Sequence, residues 1–538
     1  MKTFILTILF FTALGFAQVP VTVSATLLNE SECSGQFVTF ELDHITKTRG
    51  SEVTLYDSNG SGVAVGDLDN DSDIDIVLAN LKNNNSIFWN EGNLSFRKEE
   101  LTHGDSRGVT IVDVDGDSWN DVVFTQNLGT PSYWHNVQGK LEYSNLRGVD
   151  APAYTMAWGD LDGDGDLDLV TASYDSLLEK ELRDTFLFSD GAGVFVYTNT
   201  PDGFVAERLA EKSQALAVTL FDLNGDGKQD ILIGNDFEVP DYYYLNQDGE
   251  WIETHPFSRY TRNTMSFDVA DIDNDGVNEL FATDMKPNFN DLSEVAMWME
   301  LMNKGFNKQV RSSPQRPENV LQKRTEDGFE NIAYDKKLDA TGWSWAGEFG
   351  DLNNDGLQDL YVVNGMIAKD VFAFLPNYEL VEKNRIFQNL GNNNFDNVDW
   401  GLASTASGRG MVMADLDNDG DLDIVVNNLE SPSVVFENQL CSENQTGGDA
   451  LEVNLSWNSA NTNAIGARLK LNTSAGTFRR DVYVTSGYLS GESSRVHFGV
   501  PKNATLISLE ILWPDGQPSN ITDLQINTLV SVARKELP

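Results

Sequence analysis

Histidine, cysteine and basic residues are all scarce in this chain. Its 538 residues include five histidines, two cysteines and 37 lysines and arginines, against 83 aspartates and glutamates. No Ser/His/Asp, Cys/His, HExxH or phosphate-loop signature occurs, so the sequence gives catalysis little support. The formal charge of −46 would repel phosphate backbones and anionic membranes, which argues against a nucleic-acid partner.

Long apolar runs are missing after the first residues. Residues 1–17 combine a basic Lys2, a short apolar core and a small-residue end, which is typical of a cleaved secretory signal. That core is shorter than the ~20 apolar residues of a membrane span, and no cysteine follows it to carry a lipid. We therefore expect an exported protein that is secreted, periplasmic or attached at the cell surface, without a membrane span.

Seven copies of one acidic motif dominate the rest of the chain. Each reads Asp-x-Asp/Asn-x-Asp with Asp or Glu four residues later, between two short apolar stretches. The motif residues are Asp67, Asp69, Asp71 and Asp75; Asp113, Asp115, Asp117 and Asp121; Asp160, Asp162, Asp164 and Asp168; Asp222, Asn224, Asp226 and Asp230; Asp271, Asp273, Asp275 and Glu279; Asp351, Asn353, Asp355 and Asp359; Asp415, Asp417, Asp419 and Asp423. All offer hard oxygen ligands, and a loop that supplies positions 1, 3, 5 and 9 with the carbonyl of position 7 suits Ca²⁺. The sequence predicts up to seven Ca²⁺ ions.

Two other interpretations fit these motifs less well. Asp, Asn and Gly favour solvated turns without any metal, but seven copies at one internal spacing favour calcium. An EF-hand would need Glu at position 12, where this chain has Leu78, Phe124, Thr171, Ile233, Ala282, Val362 and Val426. Position 6 is Gly in five copies and Ser in the first two, Ser72 and Ser118, so weaker binding is expected there.

The apolar stretches around each motif predict the architecture. A short strand enters and another leaves each loop, so each loop is predicted to be a hairpin turn. An aromatic-rich strand and a fourth strand follow in most copies, and the motifs start 46, 47, 62, 49, 80 and 64 residues apart. Four strands per unit at such spacing are typical of β-propeller blades. The sequence predicts an all-β protein with a seven-bladed propeller over residues 37–440.

The longest spacing holds a predicted helical insertion, at about residues 286–318. Asp291 and Glu294 form a capping-box pattern, and apolar residues follow at helical spacing. The Met297, Trp298 and Met302 face could cover the channel or offer a docking surface. Packing against the propeller rim is the alternative.

The repeats resemble the FG-GAP/VCBS repeats of integrin α-subunit heads and exported bacterial proteins. Residues 451–538, after a linker at 441–450, resemble the ASPIC/UnbV domain through Ile-Gly-Ala-Arg at 465–468, Ser-Gly-Tyr-Leu-Ser at 486–490, Val-His-Phe-Gly at 496–499 and Trp-Pro-Asp-Gly at 513–516. Val500 and Pro501 depart from the usual Leu-Gly. The combination is similar to the cartilage acidic protein family. The resemblance implies calcium in the propeller hairpins; the alternating strands of the tail predict a small β-sandwich-like domain.

The two cysteines flank the predicted propeller. Cys33 lies in the N-terminal segment 18–36, just before the first strand, and Cys441 follows the last propeller strand. Propellers commonly close with an N-terminal strand in the final blade, so we predict a Cys33–Cys441 disulfide at that closure. Two unpaired thiols are the alternative.

The innermost strands suggest a ligand site at the channel mouth. Arg107, Tyr154, Trp345 and Arg409 stand six residues before hairpins, with Arg262 and Trp343 on the same or neighbouring stretches. Arginine can grip an anion while aromatic rings stack on a sugar, so these six are the predicted ligand-binding residues. Local ion pairs and core packing are the alternative.

These features predict an extracellular binding or adhesion module for a glycan or a protein partner. A calcium-stabilised propeller enzyme, lyase-like or alkylating, is the second interpretation, with His103, Arg107, Tyr154 and Arg409 as weak catalytic candidates. A purely structural partner protein is the third.

Overall fold

The computed structural model describes residues 18–101, 104–126, 128–182, 192–237, 239–305, 313–392, 394–440 and 448–535. In this part of the chain there are seven antiparallel sheets of four or five strands, and each sheet contains one of the seven acidic motifs as a connection between two of its strands. We call them sheets one to seven, and the acidic loops hairpins one to seven. The predicted all-β class is confirmed.

The strands of each sheet come from one stretch of the chain, with two exceptions. Sheet six has Met285–Lys286 as an extra strand, and sheet seven takes its outer strand, Gln36–Ile45, from the N-terminal part of the chain. The strands of sheets one to seven are Val63–Gly66, Asp75–Leu78, Asn85–Asn90 and Phe96–Leu101; Ser106–Val112, Asp121–Gln126, Ser132–Asn136 and Leu141–Ser144; Thr155–Gly159, Asp168–Ala172, Val194–Thr198 and Val205–Ala210; Ala215–Phe221, Asp230–Asn235, Tyr242–Gln247 and Glu250–Thr254; Phe267–Ala270, Glu279–Ala282, Val320–Thr325 and Gly328–Asn331; Met285–Lys286, Gly342–Gly350, Asp359–Asn364, Arg385–Asn389 and Phe395–Val398; Gly408–Ala414, Asp423–Asn428, Pro432–Gln439 and Gln36–Ile45. Two-stranded pairs join Tyr260–Thr261 to Gln315–Arg316 and Met366–Ile367 to Glu379–Leu380.

Each acidic motif is the turn of a hairpin, as predicted. In every sheet the residue before position 1 pairs with position 9, for example Gly66 with Asp75 and Ala414 with Asp423. The inner strands contact their neighbours in cyclic order, and the inner strand of sheet seven contacts that of sheet one. These strands are buried on both faces, which explains why short apolar runs form them. The arrangement is that of a propeller.

The ring closes through a strand from the other end of the chain. Gln36–Ile45 pairs antiparallel with Pro432–Gln439 in sheet seven. The amides of Ser34 and Gly35 both donate to the carbonyl of Gln439, at 3.1 and 2.7 Å. Cys441 lies outside the described residues, so its pairing with Cys33 stays a prediction.

The tail domain contains two four-stranded sheets. One joins Val21–Leu27, Thr528–Arg534, Asp449–Ser456 and Val496–Val500, and the other joins Thr477–Asp481, Arg468–Thr473, Leu506–Leu512 and Pro518–Ile521. Buried Leu451, Leu469, Phe498 and Trp513 belong to one apolar core. Part of the N-terminal segment therefore belongs to the tail domain, because residues 21–27 form the edge strand of one of its sheets.

In the described residues, three α-helices follow the strand that leaves the hairpin in sheets three, five and six: α1 (Asp175–Leu182), α2 (Leu292–Asn303) and α3 (Lys369–Phe372). A short 3-10 helix, Pro376–Tyr378, comes after α3. The connections that contain these helices are at the ends of the sheets opposite the hairpins, and we call that side the helix face. The Asp291 side chain caps α2 by accepting from the amides of Ser293 and Glu294, which is one half of the predicted capping box. The Glu294 carboxylate accepts from the Lys383 amide at 3.0 Å, and the Asp291 amide donates to the Asn288 carbonyl. Helix α2 lies within the predicted insertion of about 286–318; residues 306–312 lie outside the described chain. None of the described helices is both long and apolar enough to cross a membrane.

Candidate functional site

The hairpins hold their carboxylates by one repeated set of hydrogen bonds. In hairpin seven, Asp415 accepts from the amides of positions 5 and 6, Asp419 and Gly420, at 3.0 and 2.9 Å. Asp423, at position 9, accepts from the Leu416 amide at 3.0 Å. The bond from position 2 to position 9 recurs in all seven hairpins. The backbone thereby fixes the carboxylates at both ends of each loop.

The fixed carboxylates converge. In hairpins one, two, three and five, three of them offer oxygens within 4.8 Å of one another. Buried Oδ1 atoms of Asp69, Asp273 and Asp417, each at position 3, have no hydrogen-bond partner within the described residues. Clustered, partly unpartnered oxygens fit a hard divalent cation such as Ca²⁺.

The electrostatics of the clusters point the same way. Burial, with neighbouring carboxylates adding to it, raises the pKa of Asp75 to about 8 and those of Asp121 and Asp168 to about 7. Crowded carboxylates out of water resist ionisation unless a cation offsets their charge. A cation in each hairpin would remove that cost.

Hairpin five differs from the others and contains a cation of its own. The Lys323 ammonium lies 2.5 Å from Asp273, 3.0 Å from Asp275 and 2.9 Å from Glu279. The next residue is Arg324, whereas the other sheets have an Asn there whose amide donates to position 9. Sequence reasoning missed this lysine, although it is distinguishable as a basic residue on a third strand. Hairpin five also has Glu instead of Asp at position 9.

The tail domain docks on the hairpins. Position 6 carbonyls accept hydrogen bonds from it in five of them: Ser72 from Arg495 at 2.6 Å, Gly165 from the Asn461 amide at 2.8 Å, Gly227 from Arg468 at 3.0 Å, Gly276 from Arg479 at 2.9 Å, and Gly420 from His497 at 3.1 Å. Thr462 contacts Asp113 of hairpin two, and a Cβ on Gly356 of hairpin six would meet the Phe478 ring. The tail domain therefore touches all seven hairpins.

One loop of the tail domain enters the channel. We call residues 486–491 the plug loop. Gly487 donates to the Phe267 carbonyl at 3.0 Å, and Gly491 exchanges hydrogen bonds with Val63 and Val65 at 2.9 and 3.0 Å. Tyr488 is fully buried; its ring centroid lies 5.0 Å from that of Trp345, and its hydroxyl accepts from the Gly60 amide at 3.0 Å. The plug loop thus fills the channel from the hairpin side.

The predicted ligand-binding residues are mostly interior. Arg107, Tyr154, Trp343, Trp345 and Arg409 are buried, and Arg262 is half-buried. His103 lies outside the described residues.

The two channel arginines are satisfied by the protein itself. Arg409 donates to the carbonyls of Ser58 and Gly365, at 2.7 and 3.2 Å, and its guanidinium lies 4.0 Å from the Trp345 ring centroid. Arg107 donates to the Tyr56 carbonyl at 3.2 Å and lies 5.4 Å from the Tyr154 ring centroid. Backbone carbonyls and aromatic rings of the protein thus occupy the guanidinium groups that a ligand would have to bind. This is the arrangement that the core-packing alternative predicts.

A groove on the helix face remains open. It has a volume of about 1160 Å³ and lies between sheets five and six, beside the segment that leads into α2. Tyr334 and Phe289 line it and are 76% and 55% exposed. Lys337, Lys383 and Asp396 supply polar groups to the same groove. No sequence pattern distinguished these residues, because the groove joins turns that are distant along the chain.

Comparisons with known proteins agree with the topology. A model of the FG-GAP-like repeat matches residues 67–124, 113–171, 222–282 and 368–426, and the ASPIC and UnbV model matches residues 457–537. The search of curated proteins finds no match.

Solved structures with similar folds are distant. A lectin from Agrocybe aegerita that recognises non-reducing terminal N-acetylglucosamine has 12% identity, with 77% of this chain and 100% of that chain covered and a TM-score of 0.40. A Bacillus licheniformis rhamnogalacturonan lyase has 12% identity, with 76% of each chain covered and a TM-score of 0.40. BBS1N in complex with ARL6DN has 9% identity, with 76% of this chain and 98% of that chain covered and a TM-score of 0.42. The family models identify the chain: it contains FG-GAP-like repeats followed by an ASPIC and UnbV domain.

Proposed function

We propose that this chain is an exported, calcium-loaded binding module whose helix-face groove takes an extracellular glycan. The observation that carries the proposal is the pair of exposed rings, Tyr334 and Phe289, in an open groove of about 1160 Å³. Sugar rings stack on exposed aromatic faces, and nearby amides, carboxylates and ammonium groups bind their hydroxyls. A protein loop is the alternative occupant of the same groove.

The helix face is favoured because the opposite side of the propeller is occupied. The tail domain lies against the hairpins, and the plug loop fills the channel behind them. Tyr56 and Tyr174 pack edge to face, with 6.1 Å between ring centroids, in the apolar cluster that includes Tyr154. A ligand in the channel would have to displace this core, whereas the groove needs no rearrangement.

Calcium has a structural role in this proposal. Ions held by positions 1, 3, 5 and 9 of the hairpins would neutralise the clustered carboxylates and order the loops on which the tail domain docks. The chemistry that they supply is charge neutralisation and cross-linking of each turn. The groove lies on the other face, so calcium would support binding through stability.

Replacing Tyr334 with Ala is expected to weaken glycan binding at least about tenfold, because a central aromatic contact commonly contributes 1.4 kcal/mol or more. Retention of the protein on a panel of neutral and anionic polysaccharides, in millimolar calcium and in chelator, measures this. Polymer chain length is followed in parallel.

Tyr143→Ala is the matched control, since Tyr143 is a 52% exposed tyrosine on sheet two. Equal retention of both variants would contradict the groove as the site. Shortened polymer chains would identify an enzyme instead of a binding module.

Replacing Lys323 with Met is expected to add about one bound Ca²⁺ per chain. The ammonium now contacts Asp273, Asp275 and Glu279 and offsets one of their three negative charges. Its removal leaves all three carboxylates without a cation, so they need another one. Native mass spectrometry in calcium counts the ions. The control is Lys140→Met, a lysine whose side chain is 76% exposed. An unchanged count in the Lys323 variant would mean that calcium already displaces this lysine.

A further inference from the structure

A second group of carboxylates lies outside the hairpins, where the tail domain meets the inner strands. Asp268 and Glu348 occupy the same place on the inner strands of sheets five and six, three residues before Asp271 and Asp351. Glu492 directly follows the plug loop. All three line one cavity of about 110 Å³, which is large enough for an ion and its water molecules.

Glu348 is the member of this group that requires a partner. It is only 3% exposed, and no donor within the described residues reaches either of its carboxylate oxygens. The side chain within hydrogen-bond range is the Glu492 carboxyl, which can donate only when one of the two is protonated. Asp268, also 3% exposed, accepts from the Phe349 amide at 2.6 Å and from the Ser486 hydroxyl at 3.1 Å. A buried carboxylate without donors is costly unless a cation or a proton accompanies it.

The surroundings are arranged around the Glu348 carboxylate. A Cβ on Gly487 would lie 2.1 Å from Glu348 Oε1, so the plug loop can pass only because that residue is glycine. Burial, followed by the charges of Glu492 and Asp268, raises the pKa of Glu348 well above its usual value. Burial and the charge of Asp268 raise that of Glu492 to about 8. Arg480 lines the same cavity, but the carboxylates whose charges act on it are chiefly those of Asp351 and Asp271 in the hairpins.

We propose that Asp268, Glu348 and Glu492 bind a Ca²⁺ ion that fastens the plug loop to sheets five and six. Three carboxylates from three separate segments supply only hard oxygen ligands, and water in the cavity completes the coordination. The three ligands lie outside the hairpins, although the same cavity reaches Asp351 and Asp415, at position 1 of hairpins six and seven. The ion would join the two domains at the point where the plug loop enters the channel.

The decisive measurement is anomalous scattering from crystals of the whole protein soaked in Tb³⁺, which replaces Ca²⁺ at oxygen sites. The expected result is a peak between the Asp268, Glu348 and Glu492 carboxylates. Peaks confined to the hairpins would overturn this inference and leave the proposed calcium loading intact. A peak at the carboxylate cluster with none in the hairpins would support this inference and contradict the proposed calcium loading of the hairpins.

Counting ions in variants provides the second readout. Glu348→Gln and Glu492→Gln are each expected to lose one Ca²⁺ per chain by native mass spectrometry, with unchanged circular dichroism. The matched control is Glu382→Gln, because Glu382 is a buried glutamate whose oxygens already accept from Trp298 and the Trp343 amide, at 2.8 and 2.7 Å. An unchanged ion count together with an equal or higher melting temperature in Glu348→Gln would overturn the proposal and indicate two carboxyls sharing a proton.

Discussion

Chelating calcium is expected to lower the melting temperature of this protein by on the order of 20 °C. An ion at 100 times its dissociation constant stabilises the folded state by about 2.7 kcal/mol, and six or seven hairpin sites act together. For a chain of this size each kcal/mol shifts the melting temperature by roughly 1–2 °C, less than in small domains. Scanning calorimetry in millimolar calcium and in EGTA measures the difference.

The control for chelation is an excess of Mg²⁺. That ion demands a small octahedral site and gives up its water reluctantly, so it is expected to restore little of the lost stability. Identical melting in calcium and in EGTA would contradict calcium loading of the hairpins. The raised pKa values of Asp75, Asp121 and Asp168 would then describe carboxyls that stay protonated.

Replacing Tyr488 with Ala is expected to reduce the free energy of unfolding by about 3–5 kcal/mol. The side chain is fully buried against Trp345, and its hydroxyl accepts from the Gly60 amide. Truncation leaves a cavity in the channel and an unsatisfied amide, two costs that add. Urea denaturation followed by tryptophan fluorescence measures the change, since Trp345 would report on loss of its neighbour.

Two companion variants separate the causes. Tyr488→Phe keeps the ring and loses only the hydroxyl, so a loss of about 1 kcal/mol is expected. Tyr143→Ala removes a 52% exposed tyrosine that packs edge-on against Trp134, and is expected to change the free energy by about 1 kcal/mol or less. If Tyr488→Ala behaved like Tyr143→Ala, the plug loop would not be part of the folded core.

The hairpins and the propeller were predictable because their signals are local. Asp415 to Asp423 carry the turn, the carboxylates and the flanking strands within a dozen residues, and that pattern recurs seven times. The cap of α2 is also local, since Asp291 bonds the amides two and three residues later. Such features need no knowledge of the rest of the chain.

The docking of the tail domain was not predictable, because its contacts join residues hundreds of positions apart. Arg495 reaches Ser72, and Tyr488 reaches Gly60. The channel arginines illustrate the same difficulty. Arg409 resembles a ligand-binding residue in the sequence, but its partners are carbonyls of Ser58 and Gly365, which sequence spacing cannot place. Lys323 likewise contacts hairpin five only because its strand, Val320–Thr325, pairs with the strand that leaves the hairpin.

The strand Val21–Leu27 has a consequence for how the protein is made. Its partner, Thr528–Arg534, is separated from it by about 500 residues, and Gln36–Ile45 must likewise wait for Pro432–Gln439. Both early strands leave the ribosome with open edges that their partners cannot cover until about 500 and about 400 further residues have been made. Folding of this kind is slow and exposes edges that aggregate. Chaperone protection of the nascent N-terminus is therefore expected to determine yield, and a stop codon shortly before residue 528 should give insoluble protein.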